Sequence, residues 1–240
     1  MHVEHEFLPW DSDFFGFRVE RIRVPVHCDG SLAPMSDAIA RSSARLTYVP
    51  VPAISERRDE IARMLLACGG VHYGSLITFR KNISPPHTDV RNLASPAIAT
   101  CLIEALFELA YASGHCSRFA RDPMLASFFR PMYRKWLERD FAVGRVFLVP
   151  GEESPEGMAT VSVRDGIGKI GLVAVRTDCR RKGHGTNLMR TVDAWLSSQG
   201  VGVCEVVTQG ENVEALSLYR ATGFESVSQE EIWHVWKEVR

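Results

Sequence analysis

Residues 173–185, VAVRTDCRRKGHG, are the part of the sequence that is most informative about the fold. Its apolar start predicts a buried strand, and Gly183 and Gly185 lead from a basic turn into a segment with helical spacing. The first backbone N–H groups of a helix have no partner inside that helix, so such a turn offers them to an anion. Glycine lets a ligand approach the backbone closely, because it has no Cβ. The stretch therefore predicts a strand–turn–helix unit that binds a phosphate or pyrophosphate.

A run of cations, Arg180 to Lys182, adds positive charge at the same end of the helix. The helix dipole contributes only about 0.3–1 kcal/mol toward an anion, so directed N–H bonds and cations must share the binding. Two common phosphate motifs are absent from the sequence: it has no G-x-x-x-x-G-K-[ST], and no G-x-G-x-x-G followed by an acidic residue about twenty positions later. One alternative stays open, in which the glycines only shape a tight turn beside a solvated basic cluster.

A second informative segment, NVEALSLYRATGF, covers residues 212–224. Asn212, Ala215, Leu216 and Tyr219 follow the spacing of one helix face, and Gly223 is placed to end that helix. The segment therefore predicts a helix that directs an amide and a phenol hydroxyl the same way. Two alternatives stay open: Asn212 as a helix-start residue only, and Tyr219 as a core aromatic whose hydroxyl meets a backbone partner.

Two patterns together resemble the characteristic elements of the GCN5-related N-acetyltransferase (GNAT) family. They are R-x-x-G-x-G at residues 180–185 and N-x-x-A-x-x-L-Y-x-x-x-G-F at residues 212–224. They occur in the family's order, separated by one predicted strand, and the resemblance covers about Thr88 to Arg240. It implies an α/β GNAT fold with a mixed central sheet, in which the strand Gly168–Val175 splays from its neighbour. It also implies an enzyme that transfers an acetyl group from acetyl-CoA to a primary amine.

The resemblance implies roles for particular residues. Tyr219 is expected to protonate the departing thiolate of coenzyme A, whereas the general base is left unassigned. His184 is expected to contribute its backbone N–H rather than its imidazole. The residues expected to bind acetyl-CoA are Val173, Ala174, Val175, Arg180, Arg181, Lys182, Gly183, His184, Gly185, Thr186 and Asn212.

Three other stretches resemble the branch of the family that includes TDP-fucosamine acetyltransferase: LPWDSDFFG at residues 8–16, SRF at residues 117–119, and an aromatic stripe at residues 129–136. This resemblance implies that the acceptor is a nucleotide-linked 4-amino-4,6-dideoxy sugar. The residues expected to bind it are Arg118, Arg121, Phe129 and Tyr133. In the alternative, the aromatic residues only pack in the core and the two arginines are solvated.

Two other functions compete with the sugar hypothesis. In the first, the acceptor is a different amine, such as a peptide N-terminus, a lysine or a small metabolite. In the second, the chain is a non-catalytic module that binds acyl-CoA, and the presence of Tyr219 in the second motif argues against it.

Length and composition exclude several classes of protein. The 240 residues suit one large domain or two small ones, and the net charge of −1 provides no basic field for nucleic acid. The six cysteines are scattered without a C-x-x-C pair, which predicts reduced thiols in a cytoplasmic protein and no metal site. No signal peptide is expected, and Glu104 and Glu108 interrupt the most apolar helix, so no membrane span is expected. A homodimer stays open.

The polar stretch SPPHT at residues 84–88 predicts a linker between an N-terminal α/β domain, residues 1–87, and an acetyltransferase domain, residues 88–240. In the first domain the predicted strands are 16–24, 46–49 and 71–79, and the predicted helices are 34–44 and 55–67. In the second domain the predicted helices are 97–111, a stretch around 128–137, 185–198 and the segment after Asn212. The predicted strands there are 145–149, 158–163, 168–175, 202–208 and 230–236. Asp165-Gly166 predicts a type I′ hairpin turn between two of these strands.

Overall fold

The computed structural model describes residues 3–25, 30–84, 102–151 and 154–237. The predicted linker beyond Ser84 and the start of the predicted helix 97–111, up to residue 101, lie outside the described residues. The strands are β1 (Glu4–Phe7), β2 (Val19–Arg23), β3 (Leu46–Pro52), β4 (Gly70–Asn82), β5 (Arg145–Val149), β6 (Gly157–Arg164), β7 (Ile167–Val175), β8 (Val203–Gln209) and β9 (Glu225–Trp236). The α-helices are α1 (Pro9–Phe15), α2 (Ala33–Arg41), α3 (Arg58–Ala67), α4 (Ile103–Ser113), α5 (Arg118–Arg121), α6 (Ala126–Val143), α7 (His184–Ser198) and α8 (Val213–Ala221).

The chain divides into two compact units, of which the first comprises Met1–Ile77, Gln209–Glu211 and Ser228–Arg240. Its strands follow the order β1-β2-β3-β9-β4, with β2 antiparallel to β1 and parallel to β3. Helices α2 and α3 cover this sheet with apolar side chains. The core residues include Ile22, Met35, Ile39, Val49, Ile61, Leu65 and Trp233.

The second unit comprises Thr78–Thr208 and Asn212–Val227, so it contains every residue predicted to bind acetyl-CoA. Its strands follow the order β4-β8-β7-β6-β5. Strand β6 is antiparallel to β5 and β7, whereas β7 is parallel to β8. This mixed sheet with its helices confirms the predicted α/β fold class. The predicted domain boundary at residues 87 and 88 falls outside the described residues and stays a prediction.

The central strands β7 and β8 separate soon after they meet. They are paired only from Gly168 to Ile170, opposite Cys204 to Val206, although β7 continues to Val175 and β8 to Gln209. The splay expected for this strand is therefore present. Ligands of open α/β sheets bind outside the carboxyl ends of the strands, where neighbouring strands diverge.

Local features explain where the sequence-based bounds differ from the structure. The strand predicted from residue 16 begins only at Val19, because Gly16 ends the unpredicted helix α1 with a φ of 75°. The strand predicted at 145–149 has these bounds. At the hairpin, Asp165 and Gly166 have φ values of 53° and 74°, as a type I′ turn requires.

No helix in the described residues is long and apolar enough to cross a membrane. The same part of the chain holds no group of three or more His, Cys, Asp or Glu side chains that could bind a metal ion. Within these residues, Cys68, Cys116, Cys179 and Cys204 form no disulfide.

Candidate active site

A cavity of about 590 Å³ lies in the second unit. Its walls come from the end of β7, the turn that follows, the start of α7, the helix α8 and the end of α4. The predicted acetyl-CoA residues that line it are Val173, Ala174, Val175, Arg180, Arg181, Gly183, His184, Gly185, Thr186 and Asn212. Tyr219 lines the same cavity, whereas Lys182 does not. The two sequence motifs thus meet in one place.

The basic turn after β7 contains two residues in the left-handed region. It begins with a 3-10 turn at Thr177–Cys179, after which Arg181 has a φ of 64° and Gly183 a φ of 84°. Glycine adopts this conformation without strain, whereas for arginine it is uncommon. Helix α7 starts at His184, and the N–H of Asn187 donates to the Gly183 carbonyl oxygen over 3.0 Å. The first helical residues, His184, Gly185 and Thr186, line the cavity, and their N–H groups have no acceptor within the helix.

Gly185 lets α7 and α8 approach each other. A Cβ at this position would lie 3.2 and 3.3 Å from the Cδ1 and Cδ2 atoms of Leu218 on α8. A Cβ at Gly183 would meet nothing within 4 Å, so there the positive φ is what favours glycine. The first glycine of G-x-G therefore serves the backbone conformation, and the second serves the packing of two helices that line the cavity.

Arg180 is held at the cavity wall. Its Nε donates to the Val175 carbonyl oxygen over 3.3 Å, and its Nη1 lies 3.8 Å from Oε1 of Glu214. Arg176 instead donates two hydrogen bonds to Asp178, and these hold the pKa of that carboxyl at about 2. The charge of Asp178 is therefore compensated locally, and the positive charge of Arg180 stands beside the cavity.

The open edge of β7 carries the backbone N–H groups of Val173 and Val175. The N–H groups of Leu172 and Arg176 both donate in the direction of β6, over 2.9 and 2.8 Å. Successive N–H groups of a strand point to opposite edges. Those of Val173 and Val175 therefore point to the edge from which β8 has separated, and both residues line the cavity.

Tyr219 is oriented by the way α8 ends. Gly223 has a φ of 86°, and the N–H of Phe224 donates to the Tyr219 carbonyl oxygen over 2.9 Å. The ring centroids of Phe79 and Phe224 each lie 5.8 Å from that of Tyr219. Burial raises the pKa of Tyr219 above its usual range, and the charge of a Cys204 thiolate adds to the effect. The phenol consequently keeps its proton at ordinary pH and can act as a hydrogen-bond donor.

Asn212 caps the start of α8. Its Oδ1 accepts the N–H of Ala215 over 3.1 Å, which is the helix-start role left open by the sequence. The side chain is buried and lines the cavity. A contact of Asn212 with acetyl-CoA stays a prediction.

The end of α4 supplies a wall that the sequence patterns did not reveal. Ala112, Ser113 and His115 line the cavity, and α4 continues to Ser113, beyond the predicted end at residue 111. Nδ1 of His115 lies 2.9 Å from the Ala112 carbonyl oxygen, which can only accept, so Nδ1 carries a proton. Nε2 is then the ring nitrogen able to take up a proton. The available signal was the polar segment ASGHCS, residues 112–117, after the predicted helix.

The residues predicted to bind the acceptor do not line this cavity. Phe129 and Tyr133 lie on α6 with ring centroids 4.7 Å apart, and burial raises the pKa of the 4 % exposed Tyr133. Arg118 and Arg121 begin and end the short helix α5, and the Arg118 guanidinium lies 4.4 Å from the Phe119 ring. The contacts of Tyr133 are those of a packed core residue, and the acceptor roles of all four residues stay predictions.

Residues 106–224, about half of the chain, match the model of the acetyltransferase (GNAT) family. The matched residues include the glycine turn, the open end of β7 and all of α8 with Tyr219. This segment belongs to the GNAT family.

The GNAT segment has a relative among curated sequences, and the chain also resembles solved structures. An uncharacterized N-acetyltransferase of Bacillus subtilis, YobR, is 32% identical over 97 residues, which are 40% of this chain and only 39% of that protein. A GCN5-related N-acetyltransferase from Sphaerobacter thermophilus has a TM-score of 0.60 at 15% identity, covering 99% of this chain and 78% of that one. A conserved protein of unknown function from Staphylococcus epidermidis has a TM-score of 0.63 at 12% identity, covering 92% and 85%. At 12% to 15% identity, these two structures show similarity of fold alone. The acyl donor of the GNAT family is acetyl-CoA.

Proposed function

We propose that this chain is an N-acetyltransferase that moves an acetyl group from acetyl-CoA to a primary amine. One observation carries the proposal: a single cavity of the GNAT segment combines the glycine turn, the open edge of β7 and the buried phenol of Tyr219. A phosphate-binding turn alone would suit many nucleotide ligands. The turn beside an unpaired strand edge suits a ligand that carries both a diphosphate and amide groups, as coenzyme A does.

The proposed donor position follows from the backbone donors and the charges. The diphosphate would accept hydrogen bonds from the N–H groups at the start of α7, near the positive charge of Arg180, Arg181 and Lys182. The pantetheine arm would pair with the open edge of β7 in the manner of an added strand. The thioester would then lie beside Tyr219, which lines the same cavity.

The proposed reaction is direct transfer. The amine forms a C–N bond to the thioester carbonyl, and the tetrahedral oxyanion then expels the thiolate as the C–S bond breaks. An N–H group directed at such an oxyanion is worth about 2.7–4 kcal/mol, and Val173 and Val175 are suited to this role. Burial raises the pKa of the Cys179 thiol in the cavity wall, and a protonated thiol is a weak nucleophile, so an acetyl-cysteine intermediate is not favoured.

Tyr219 is proposed to donate to the departing sulfur. Its raised pKa makes complete proton transfer to a thiolate unfavourable, because an ordinary thiol has a pKa of about 8.5. A hydrogen bond from the phenol stabilises the developing charge on sulfur without that cost. The released thiolate then takes up its proton from solvent.

The acceptor amine must lose a proton during the reaction. His115 is suited to accept it, directly or through one water, because it lines the cavity and its Nδ1 proton is held by Ala112. This leaves Nε2 as the basic nitrogen. The group was not identifiable from sequence because His115 belongs to no recognised motif.

For the acceptor we propose a nucleotide-linked amino sugar acetylated at its 4-amino group. The support is the sequence resemblance of residues 8–16, 117–119 and 129–136, together with the position of α5. Arg118 and Arg121 follow directly along the chain from the cavity wall at His115, and guanidinium groups suit the phosphates of a nucleotide. We further propose that the reaction takes place in the cytoplasm, as the thiol content predicts.

The test is turnover of acetyl-CoA with a panel of amines, with the acetylated product detected by mass. The panel contains nucleotide-linked amino sugars, peptides with free N-termini, lysine-containing peptides and small polyamines. A nucleotide-sugar acceptor predicts a product with the sugars and competitive inhibition by TDP. A product with peptides alone would instead assign a peptide acceptor, and tight acetyl-CoA binding without any acetylated product would indicate the non-catalytic module.

A further inference from the structure

The open edge of β7 begins at an irregularity in the sheet. Ala159 pairs with Val173, and Val161 pairs with Ile170. One residue of β6 lies between these two pairs, whereas two residues of β7 do. Strand β7 therefore carries one extra residue, a β-bulge, opposite Thr160. Because N–H groups alternate between the two edges, one extra residue reverses the edge to which every later N–H of β7 points.

The side chain of Thr160 binds the bulged backbone. The N–H of Leu172 donates to its Oγ1 over 2.9 Å, and the hydroxyl in turn donates to Oδ2 of Asp140 over 2.6 Å. The Arg139 guanidinium donates to the other carboxylate oxygen over 2.8 Å. Thr160 and Asp140 are both buried. The carboxylate can only accept, so it fixes the direction of the hydroxyl proton and leaves the oxygen lone pair for Leu172.

Gly171 makes room for this pair of side chains. A Cβ at Gly171 would lie 2.7 Å from Oγ1 of Thr160 and 2.8 Å from Oδ2 of Asp140. Such distances are shorter than a nonbonded carbon and oxygen tolerate, so a larger residue would displace the hydroxyl or the carboxylate. The bulge, the hydroxyl and the carboxylate therefore fit one another only with glycine at this position.

We infer that Thr160 and Asp140 are positioning residues that hold the N–H groups of Val173 and Val175 at the open edge of β7. They touch neither substrate; they act through the Leu172 amide, which lies directly before the two N–H groups. The inference rests on the proposed function, because the N–H groups matter to catalysis only if an acetyl carbonyl binds there. According to this inference, turnover also depends on Thr160 and Asp140, which are buried and lie outside both sequence motifs.

The test compares Thr160→Val, which removes the hydroxyl at nearly constant volume, with Thr160→Ser, which restores it. Thr191→Val is the matched control, because the Thr191 hydroxyl also bonds backbone, the Asn187 carbonyl oxygen, but on the exposed side of α7. Thr160→Val is expected to lower kcat by about 10-fold to 100-fold, as a small misplacement of catalytic groups does. The Kd of coenzyme A, which has no acetyl carbonyl, should rise by a smaller factor than kcat falls, since the diphosphate turn is untouched. Thr160→Ser should recover most of kcat.

A second readout follows the carbonyl itself. The infrared stretching frequency of bound, ¹³C-labelled acetyl-CoA should lie below that of free acetyl-CoA in the wild type and return toward it in Thr160→Val. An unchanged kcat and frequency in Thr160→Val, or equal losses of kcat and of coenzyme A affinity, would overturn the inference. If the wild type proves to acetylate no amine, the proposed function fails by itself. Amide hydrogen exchange at Leu172 in the ligand-free protein then decides: faster exchange in Thr160→Val upholds the positioning of the bulge, and unchanged exchange overturns it.

Discussion

The backbone N–H of Phe224 donates to the carbonyl oxygen of Tyr219 over 2.9 Å, and the rings of the two residues meet at 60° with centroids 5.8 Å apart. The N–H of Gly223 donates to the Arg220 carbonyl oxygen over 3.1 Å. These bonds form a Schellman ending, in which the glycine is left-handed and the next residue packs back on the last turn. The spacing Y-x-x-x-G-F therefore corresponds to this helix ending, which orients the Tyr219 phenol.

Replacement of Gly223 by alanine should disturb both stability and turnover. Its φ of 86° costs an alanine about 1–2 kcal/mol, so the free energy of unfolding should fall by about that amount. Gly200→Ala is the matched control, because Gly200 has a φ of 71°, follows α7 and has nothing within 4 Å of an added Cβ. Denaturant unfolding should show similar losses in both variants, whereas kcat should fall only in Gly223→Ala. Equal kcat values in the two variants would argue against this role of the helix ending.

Removal of the phenol hydroxyl should separate chemistry from donor binding. In Tyr219→Phe, kcat should fall by about 10²-fold to 10⁴-fold, because the departing sulfur loses its hydrogen-bond donor. The Kd of acetyl-CoA, measured by calorimetry, should stay within about 2-fold, since the ring and its packing are retained. Tyr111→Phe, on α4 of the same unit, should leave both quantities unchanged. A Tyr219→Phe enzyme with full turnover would remove Tyr219 from the mechanism.

An alanine at position 185 should weaken donor binding by displacing Leu218. The added Cβ would lie 3.2 Å from a Leu218 methyl carbon, so α8 or the side chain must shift at the cavity. The KM for acetyl-CoA should rise several-fold in Gly185→Ala and recover in Gly185→Ala/Leu218→Ala, measured by steady-state kinetics. Gly202→Ala, where an added Cβ meets nothing within 4 Å, is the control. Absence of recovery in the double variant would mean that the Cβ acts on the ligand rather than on the helix.

Loss of the Arg180 charge should lower donor affinity in a salt-dependent way. A hydrogen bond to a charged group is worth about 1.5–3 kcal/mol, so Arg180→Gln should raise the KM for acetyl-CoA by about 10-fold or more with little change in kcat. The difference from wild type should shrink as salt screens the charge. Arg164→Gln, at the exposed end of β6, should have no such effect. A KM that ignores both the substitution and the salt would contradict the proposed diphosphate position.

Alkaline pH should destabilise the protein through buried groups beside the site. Burial raises the pKa of Cys204 to about 12, while in the unfolded chain a thiol titrates near about 8.5. The folded state then holds a proton that the unfolded state releases, so stability is fully present below the unfolded pKa and is lost as pH rises toward the folded pKa. The loss is at most about 1.4 kcal/mol per pH unit for one group. Denaturant unfolding between pH 8 and pH 11 should show a shallower decline in Cys204→Ala, and parallel curves would contradict the assignment.

The sequence predicted the elements that line the donor side of the cavity because each of them is determined by local contacts, whereas the binding of acetyl-CoA by these residues stays a prediction. The αL residue Gly183, the start of α7 at His184 and the ending of α8 at Gly223 all depend on neighbours within one turn of chain. Local requirements of this kind leave a fixed spacing in the sequence. Asn212 shows the limit of such spacing, because its observed hydrogen bond is the helix cap and the pattern alone does not distinguish a cap from a ligand contact.

The rest of the site could not be predicted because it depends on tertiary contacts. His115 reaches the cavity through the packing of α4 on the sheet, and Thr160 meets Asp140 from a strand and a helix twenty residues apart. Tyr133 belongs to the aromatic stripe for which the sequence left both acceptor binding and core packing open, and it is 4 % exposed. Helical periodicity identifies an apolar face without saying whether that face meets a ligand or the core.

The short pairing of β7 with β8 also bears on how the purified protein behaves. An exposed strand edge with unpaired backbone N–H and C=O groups can pair with another molecule of the same protein and cause aggregation. Under the proposed function, the molecule that covers the edge is coenzyme A rather than another segment of polypeptide. The concentration of coenzyme A should therefore affect aggregation. Protein stored with coenzyme A should aggregate more slowly than protein from which it has been removed.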